Sequence, residues 1–488
     1  MKTNWKVIVS FWGALLGLNG VFMLLAIIPG ILASDEHGWK ALLVSGFASM
    51  VLGAFFFFFT KDHNKTIGKR EGYLIVGLGW IWLSLSGCLP YILSGTIPSF
   101  AGALFETISG YTTTGASVLS DIEAVSPSIL TWRSMTHWIG GMGIIVLTVA
   151  ILPILGIGGM QLFSAEAPGV TTDKLHPRIT DTAKRLWFIY VGLTFVETIF
   201  LWLAGMTWFD AFNHSMSTIS TGGFSTKNDS IAAFDSPWIH YIIIFFMFMS
   251  GINFALTYWG IKGKLDKIYK NEEFRFYLGV TLFTTLLVTL VLMQNGTSGW
   301  GLELAFRNSL FQVISFITTT GFVSADLTNV SGAFILKVIF FFLLFLGGSA
   351  GSTAGGIKIV RHLVIFKNSW LEFKRLLHPS GIIPVRYNDS SVHGRITFNV
   401  MAFIIIYLLI FGFGSMVMAF TGLDFESAIG AAATSLGNVG PSIGSVCPVC
   451  NFKTSPFRKN FPILPNVDWS SRNLYRTYTI YSFFWKRN

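Results

Sequence analysis

Charge is scarce in this chain. Of 488 residues only 12% are Asp, Glu, Lys or Arg, against about 25% in a typical soluble domain. That excludes an ordinary water-facing globule. Acidic residues are the scarcer sign, 24 against 34 basic, for a net charge of +10. The basic excess falls in loops between alternate apolar runs, so membrane topology accounts for it and nucleic-acid binding is not implied. Cysteine is almost missing, with three in all. Cys88 lies in an apolar run and reads as packing. Cys447 and Cys450 form a C-x-x-C without the second pair a zinc site needs, and read as incidental. The sequence shows no nucleophile–base pair or metal cluster, so an enzyme is not expected. Strict apolar/polar alternation is also lacking, which argues against a transmembrane barrel. No clear small-residue cleavage site follows the first apolar stretch, Val7 to Leu32, so no cleavable signal peptide is expected.

What is present is apolar bulk. Hydrophobic residues make up 52% of the chain, many in continuous runs of about 20 residues, the length of a membrane-spanning helix. In lipid the backbone must satisfy its own hydrogen bonds, so the fold class is an all-α polytopic membrane protein. Two spans come first, at 6–32 and 39–60. Their connection, Ser34 to His37, has no Lys or Arg, whereas Lys61 to Arg70 is strongly basic and is therefore placed in the cytoplasm, with the N-terminus.

From there one unit recurs: a span, a short helix, a turn, a polar stretch and a second span. The spans are expected at 72–95 and 133–157, at 186–206 and 238–260, at 276–294 and 334–363, and at 396–421. Segments 98–111, 208–219, 302–317 and 424–436 are too short to cross and read as re-entrant helices. Lys174, Arg178, Lys184 and Arg185, then Lys262 to Lys270, then Lys358 to Arg386, place each unit's start and end in the cytoplasm. Every re-entrant turn therefore enters from outside.

The turns share a pattern. They are Thr112-Thr113-Thr114-Gly115, Ser220-Thr221-Gly222-Gly223, Thr318-Thr319-Thr320-Gly321 and Gly437-Asn438-Val439-Gly440. Glycine permits dihedrals that aim carbonyls at an axis, and rings of carbonyls replace the water of a passing ion. A helix C-terminus pointing at the centre favours a cation. One such turn alone reads as a helix C-cap. Four in register with topology read as a pseudo-four-fold pore in an ion-conducting protein.

These features resemble the Trk/Ktr/HKT superfamily of potassium transporters, and within it the bacterial TrkH-like membrane subunit. The four turns carry the resemblance, with the run Thr136-His137-Trp138-Ile139-Gly140-Gly141-Met142-Gly143, the loop Glu166-Ala167-Pro168-Gly169 and the two extra N-terminal spans. It covers residues 1 to about 446. It implies uptake of potassium across a bacterial inner membrane, with coupling to protons or sodium (symport) left open. Potassium ions would sit at Thr113, Thr114, Gly115, Thr221, Gly222, Gly223, Thr319, Thr320, Gly321, Asn438, Val439 and Gly440, with no other cofactor. Glycine at position 115 goes with potassium over sodium in this family. The resemblance further implies a homodimer and a cytoplasmic nucleotide-binding, TrkA-like regulatory subunit.

Unit three's second span is interrupted by Gly347-Gly348-Ser349-Ala350-Gly351-Ser352-Thr353-Ala354-Gly355-Gly356, which cannot remain a regular helix cheaply. It resembles the family's intramembrane gate loop; the alternative is a packing kink. It is no Walker loop, because Lys358 follows Ile357. Glu106, Asp210, His214, Arg307, Asp424 and Glu426 lie in the re-entrant helices, and the acidic ones either gather cations at the outer mouth or cap and brace these helices. Asn253 reads as pore-facing or packing.

The expected organisation is 1–66 for the extra spans, then repeats at 67–160, 161–263, 264–378 and 379–446, and an atypical tail at 447–488. After Val446 no 18-residue apolar run follows, and Pro448, Pro456, Pro462 and Pro465 oppose a helix. Members of the resembled family end in one more span, with an Arg near the gate, which no residue here matches. Phe483 to Asn488 resembles the family's ending again, so a frameshift and a divergent tail both stay open. Two other readings are a secondary cation transporter, which would need an inverted repeat, and a non-conducting variant with a damaged fourth unit.

Overall fold

The computed structural model describes residues 4–32, 38–60, 69–143, 179–294, 301–325, 333–381, 383–388, 390–392 and 394–442. Cys447, Cys450, the 166–169 loop, Lys174, Arg178 and the tail lie outside these residues. The chain is an all-α polytopic membrane protein. Among the described residues six helices are long and apolar enough to span, and a bent pair makes up to seven.

Helix α1 (Trp5–Leu25) runs on into α2 (Ile27–Leu32) and lies along α3 (Gly38–Phe59). Glycines set this contact. A Cβ added at Gly53 would lie 2.6 Å from the Gly13 carbonyl, and one at Gly20 2.6 Å from the Gly46 carbonyl. The pairs 13/53 and 20/46 run in opposite order, so the helices are antiparallel. In lipid, where apolar side chains gain little by leaving the solvent, such close backbone approach holds helices together.

Unit one comprises α4 (Lys69–Gly87), α5 (Leu89–Leu93), the re-entrant α6 (Phe100–Thr112) and α7 (Pro127–Gly141). Cys88 is buried at the α4–α5 junction. Asn19 of α1 donates to Ser86 at 2.8 Å and accepts from Tyr111 at 2.6 Å, tying the N-terminal pair to α4 and α6. Unit two comprises α8 (Ile179–Leu203), the re-entrant α9 (Trp208–Ile219), α10 (Pro237–Ser250) and α11 (Phe254–Ile261), followed by the short α12 (Leu265–Lys270). Unit three has α13 (Glu272–Gln294), the re-entrant α14 (Leu302–Ile317), α15 (Ala333–Leu343) and α16 (Ile359–Leu377). A two-residue hairpin, β1 (Arg386–Tyr387) with β2 (Ser390–Ser391), leads to α17 (Gly394–Phe420) and the re-entrant α18 (Phe425–Gly437) of unit four.

Side-chain caps start three of the short helices. Ser99, Thr207 and Asp424 accept from the backbone N–H groups of Gly102, Asp210 and Ser427, satisfying donors that a helix start leaves open.

Three expected spans need correction. The second helix of unit one begins at Pro127, not 133, because Pro at the first helical turn needs no N–H partner. The expected span 238–260 is broken, and α10 and α11 meet at a bend of 110°. Asn253 causes the restart: its side chain caps α11 by accepting from the Ala255 N–H at 2.8 Å. It is therefore a cap. The expected span 334–363 is helical only to Leu343 and from Ile359, so the interruption exceeds the glycine-rich run at both ends.

The α1–α3 packing makes a prediction. Gly53→Ala should destabilise the purified protein by about 1–3 kcal/mol, the range for overpacking. Gly17→Ala should be neutral, because an added Cβ there meets nothing within 4 Å. Equal thermal midpoints for the two variants in detergent would refute this account.

Candidate functional site

The four turns have one local design. In each, the residue two before the aligned glycine is left-handed: Thr113 (φ 58°), Thr221 (55°), Thr319 (55°) and Asn438 (60°). The glycines themselves follow at φ 80°, 81°, 79° and 92° for Gly115, Gly223, Gly321 and Gly440. Left-handed threonine is uncommon. The backbone shows why it is tolerated. The N–H groups of Thr114, Gly222, Thr320 and Val439 donate to the carbonyls of Ser109, Ser217, Ser315 and Thr434 at 2.9, 2.8, 2.9 and 3.1 Å. This is the six-to-one bond of a Schellman cap. The C-cap and filter readings of the turn are thus one geometry.

A second pattern escaped the sequence reading. Six residues before each aligned glycine stands a hydroxyl: Ser109, Ser217, Ser315 and Thr434. Three of them donate to the carbonyl just after the glycine, at Ala116 (2.6 Å), Phe322 (2.7 Å) and Pro441 (2.8 Å). Aligning the four turns on their glycines would have exposed this position.

The turns close into a ring in chain order. A Cβ on Gly115 would run into the carbonyl oxygen of Gly222. One on Gly223 would meet that of Thr320, one on Gly321 that of Val439, and one on Gly440 that of Thr114. Each unit's glycine is thus pressed against the next unit's backbone, and the fourth returns to the first. Asn438 seals that last joint. Its Oδ1 accepts from the Thr114 hydroxyl, and its Nδ2 donates to the Thr112 carbonyl at 2.9 Å.

Helix α7 supports two turns at once. Its run Thr136–Gly143 brings Gly140 against the Tyr111 carbonyl and Gly141 against Ser220. Apart from Arg307, the acidic and basic residues singled out in the re-entrant helices are caps and braces. Asp210 accepts from Thr226 at 2.6 Å and from Thr207 at 2.8 Å. His214 joins the Asp210 carbonyl to the Ser225 hydroxyl at 2.8 and 2.9 Å. Glu106 pairs with Arg133, Arg307 approaches Glu303, and Glu426 pairs with Lys337 of α15. Asp424 caps α18.

The glycine-rich loop 347–356 lies against three of the four units. Its Gly355 N–H donates to Thr319 Oγ1 at 2.6 Å, and the Thr353 hydroxyl donates to the Ile219 carbonyl at 3.0 Å. A Cβ on Gly355 would stand 2.8 Å from Asn438 Cβ. The break in unit two receives the loop: the Ser349 N–H donates to the Gly251 carbonyl, and the Phe254 N–H to the Gly351 carbonyl. Glu273, which the sequence reading passed over, accepts from the Ala350 N–H at 2.7 Å and from Tyr387 of the hairpin at 3.2 Å. Lys358 Nζ donates to the Ala354 carbonyl.

The fold and the ring define a polytopic membrane protein with four homologous re-entrant units. Comparison with known proteins places it further. A sequence model described as TrkH, cation transport protein, matches residues 39–305 and 302–456. The Trk system potassium uptake protein TrkH of Escherichia coli (strain K12) is 40% identical over 426 residues, 86% of this chain and 87% of that protein. TrkH of Vibrio parahaemolyticus is 38% identical over 448 residues, 91% of this chain and 92% of its own. The crystal structure of the potassium transporter TrkH from Vibrio parahaemolyticus superposes with a TM-score of 0.86 at 34% identity, covering 99% of this chain and 100% of that one. The chain belongs to the TrkH family of cation transport proteins.

The loop contact is testable without a transport assay. Thr319→Val leaves the buried Gly355 N–H unpaired, at a cost of about 1–3 kcal/mol. In a background with the three native cysteines replaced, Ser352→Cys should then react faster with a soluble thiol reagent. Unchanged labelling would show that Thr319 does not hold the loop.

Proposed function

We propose that this chain takes up potassium across the bacterial inner membrane through a gated, selective path at the centre of the ring. The observation that carries the reading is the closed four-unit ring, in which each aligned glycine abuts the next unit's carbonyl. Carbonyls presented in a ring can replace the water of a dehydrated ion. Four helix C-termini, those of α6, α9, α14 and α18, converge there and lower the energy of a cation. Residues 113–115, 221–223, 319–321 and 438–440 would contact the ion in passage. Potassium here is cargo.

The loop 347–356 is the proposed gate. Its bonds to Thr319 and Ile219 hold it beneath the turns, and backbone of this kind at membrane depth is tolerated only where it is buried or lines a cavity. We further propose a homodimer and a cytoplasmic nucleotide-binding regulatory partner, with the N-terminus inside. In support of the dimer, α16, which is not among the helices apolar enough to span, exposes an apolar row at Phe366, Trp370, Phe373 and Leu377.

Expression in a bacterium lacking its potassium-uptake systems should restore growth at limiting potassium. Failure with this chain, but rescue once a standard final span replaces residues 447–488, would favour the non-conducting reading. Gly115→Ser should lower selectivity for potassium over sodium. A Cβ at φ 80° is strained and displaces the Gly222 carbonyl from the ring. An unchanged ion preference in tracer flux would remove Gly115 from the filter. Shortening 348–355 should raise flux in the absence of the regulatory partner; regulated, wild-type flux from a folded deletion would count against the gate.

A further inference from the structure

Behind the ring, α7 carries an arrangement that joins two turns. Arg133 and His137 lie one helical turn apart, and the Phe224 ring sits between them. The Arg133 guanidinium carbon is 3.5 Å from the ring centre, and the His137 ring stacks at 3.8 Å. Phe224 directly follows the second unit's aligned glycine. Arg133 Nη1 donates to the Ser225 carbonyl at 3.0 Å, and its Nε donates to Glu106 Oε1 at 2.7 Å. Glu106 belongs to the first unit's re-entrant helix. It also accepts from the Ser117 hydroxyl at 2.9 Å and the Val118 N–H at 2.8 Å. One ion pair therefore grips the backbone just after the first turn and just after the second.

The pair is buried on both sides, with Glu106 at 0% and Arg133 at 2% exposure. Among the described residues no other ion pair is. Stability gives little reason for it. Desolvating two charges offsets most of their attraction, and apolar residues of similar volume often hold helices as well. What apolar residues cannot do is fix two backbone segments through short, directional, charge-assisted hydrogen bonds. The arginine fork meets two acceptors in one plane, which a lysine cannot do.

We propose that Glu106 and Arg133 are positioning residues that set the spacing between the first two turns, and through it the selectivity of the ring. The proposal rests on reading the ring as the filter. A joint free to tighten lets the carbonyls close on the smaller sodium ion; a joint held at fixed spacing does not. The joint between units four and one is held differently, by Asn438. The loss of the Glu106–Arg133 clamp therefore loosens the first joint while leaving that one in place.

The test uses full-length protein in liposomes, with potassium and sodium fluxes measured on the same preparation. Arg133→Lys keeps the charge but not the fork. The potassium-to-sodium ratio should fall by about tenfold or more, the scale of one lost charge-assisted hydrogen bond. Glu106→Gln should act in the same direction. The double variant should be no worse than the more affected single one, because both act through one contact. Ser117→Ala, at the half-buried edge of the site, removes one donor to Glu106 without touching the ion pair. It should lower the ratio less, and it keeps the test open if a core variant does not survive purification. A wild-type ratio in both Arg133→Lys and Ser117→Ala would overturn the proposal, as would reduced total flux at an unchanged ratio, which marks a merely structural role. Wild-type protein that conducts without preferring potassium would instead overturn the filter reading itself.

Discussion

The structure depends on a single contact made four times: a glycine of one unit against the backbone carbonyl of the next. No side chain fits there, so the glycines at 115, 223, 321 and 440 are dictated by sterics before any ion is considered. The contact also requires each turn to reverse sharply at the end of its helix. The Schellman bonds accomplish this, with a left-handed Thr or Asn in the place where Gly is usual. Holding four such residues in a sparsely populated conformation costs free energy at every turn. The surrounding hydroxyl braces and close helix packing over-determine the geometry and keep it.

Around the ring the polar groups are arranged as supports. Asp210, His214, Glu106 and Arg133 are buried and bonded to the turns or to the segments that leave them. An unpaired polar group at that depth would be costly, and the bonds these four make to the turns stiffen the ring. The four units are not equal in this respect. The first two share α7 and its ion pair, whereas the fourth meets the first through the Asn438 side chain.

Beneath the ring, two helix breaks complete each other. The interruption of unit two at Gly251–Asn253 frees backbone groups that the loop of unit three takes up, through Ser349 and Gly351. Either break alone would leave unsatisfied backbone in the membrane. Glu273 links the same loop to Tyr387 of the hairpin. The loop thus has partners in the ring, in the neighbouring unit and in the segment that follows α16.

Much of this was legible in the sequence. Hydropathy marks the spans, and the Thr/Ser-Gly turns mark the four units. These signals are local, and membrane insertion acts on local segments. The roles of individual polar residues were not legible. Glu106 reads equally as a cation-gathering carboxylate or a brace, and only its distance to Arg133 and Val118 decides. The break at Asn253 was missed because 238–260 holds no proline and no Asp, Glu, Lys or Arg, and a cap is recognised only once the helix restarts. By itself, then, the sequence determined the class, the four turns and the glycine-rich interruption of unit three. Tertiary structure alone decided how the units meet, because those contacts join residues as far apart as Thr114 and Asn438, 324 positions along the chain. No local pattern encodes such a pairing, because it follows from how four separately inserted units close on one another.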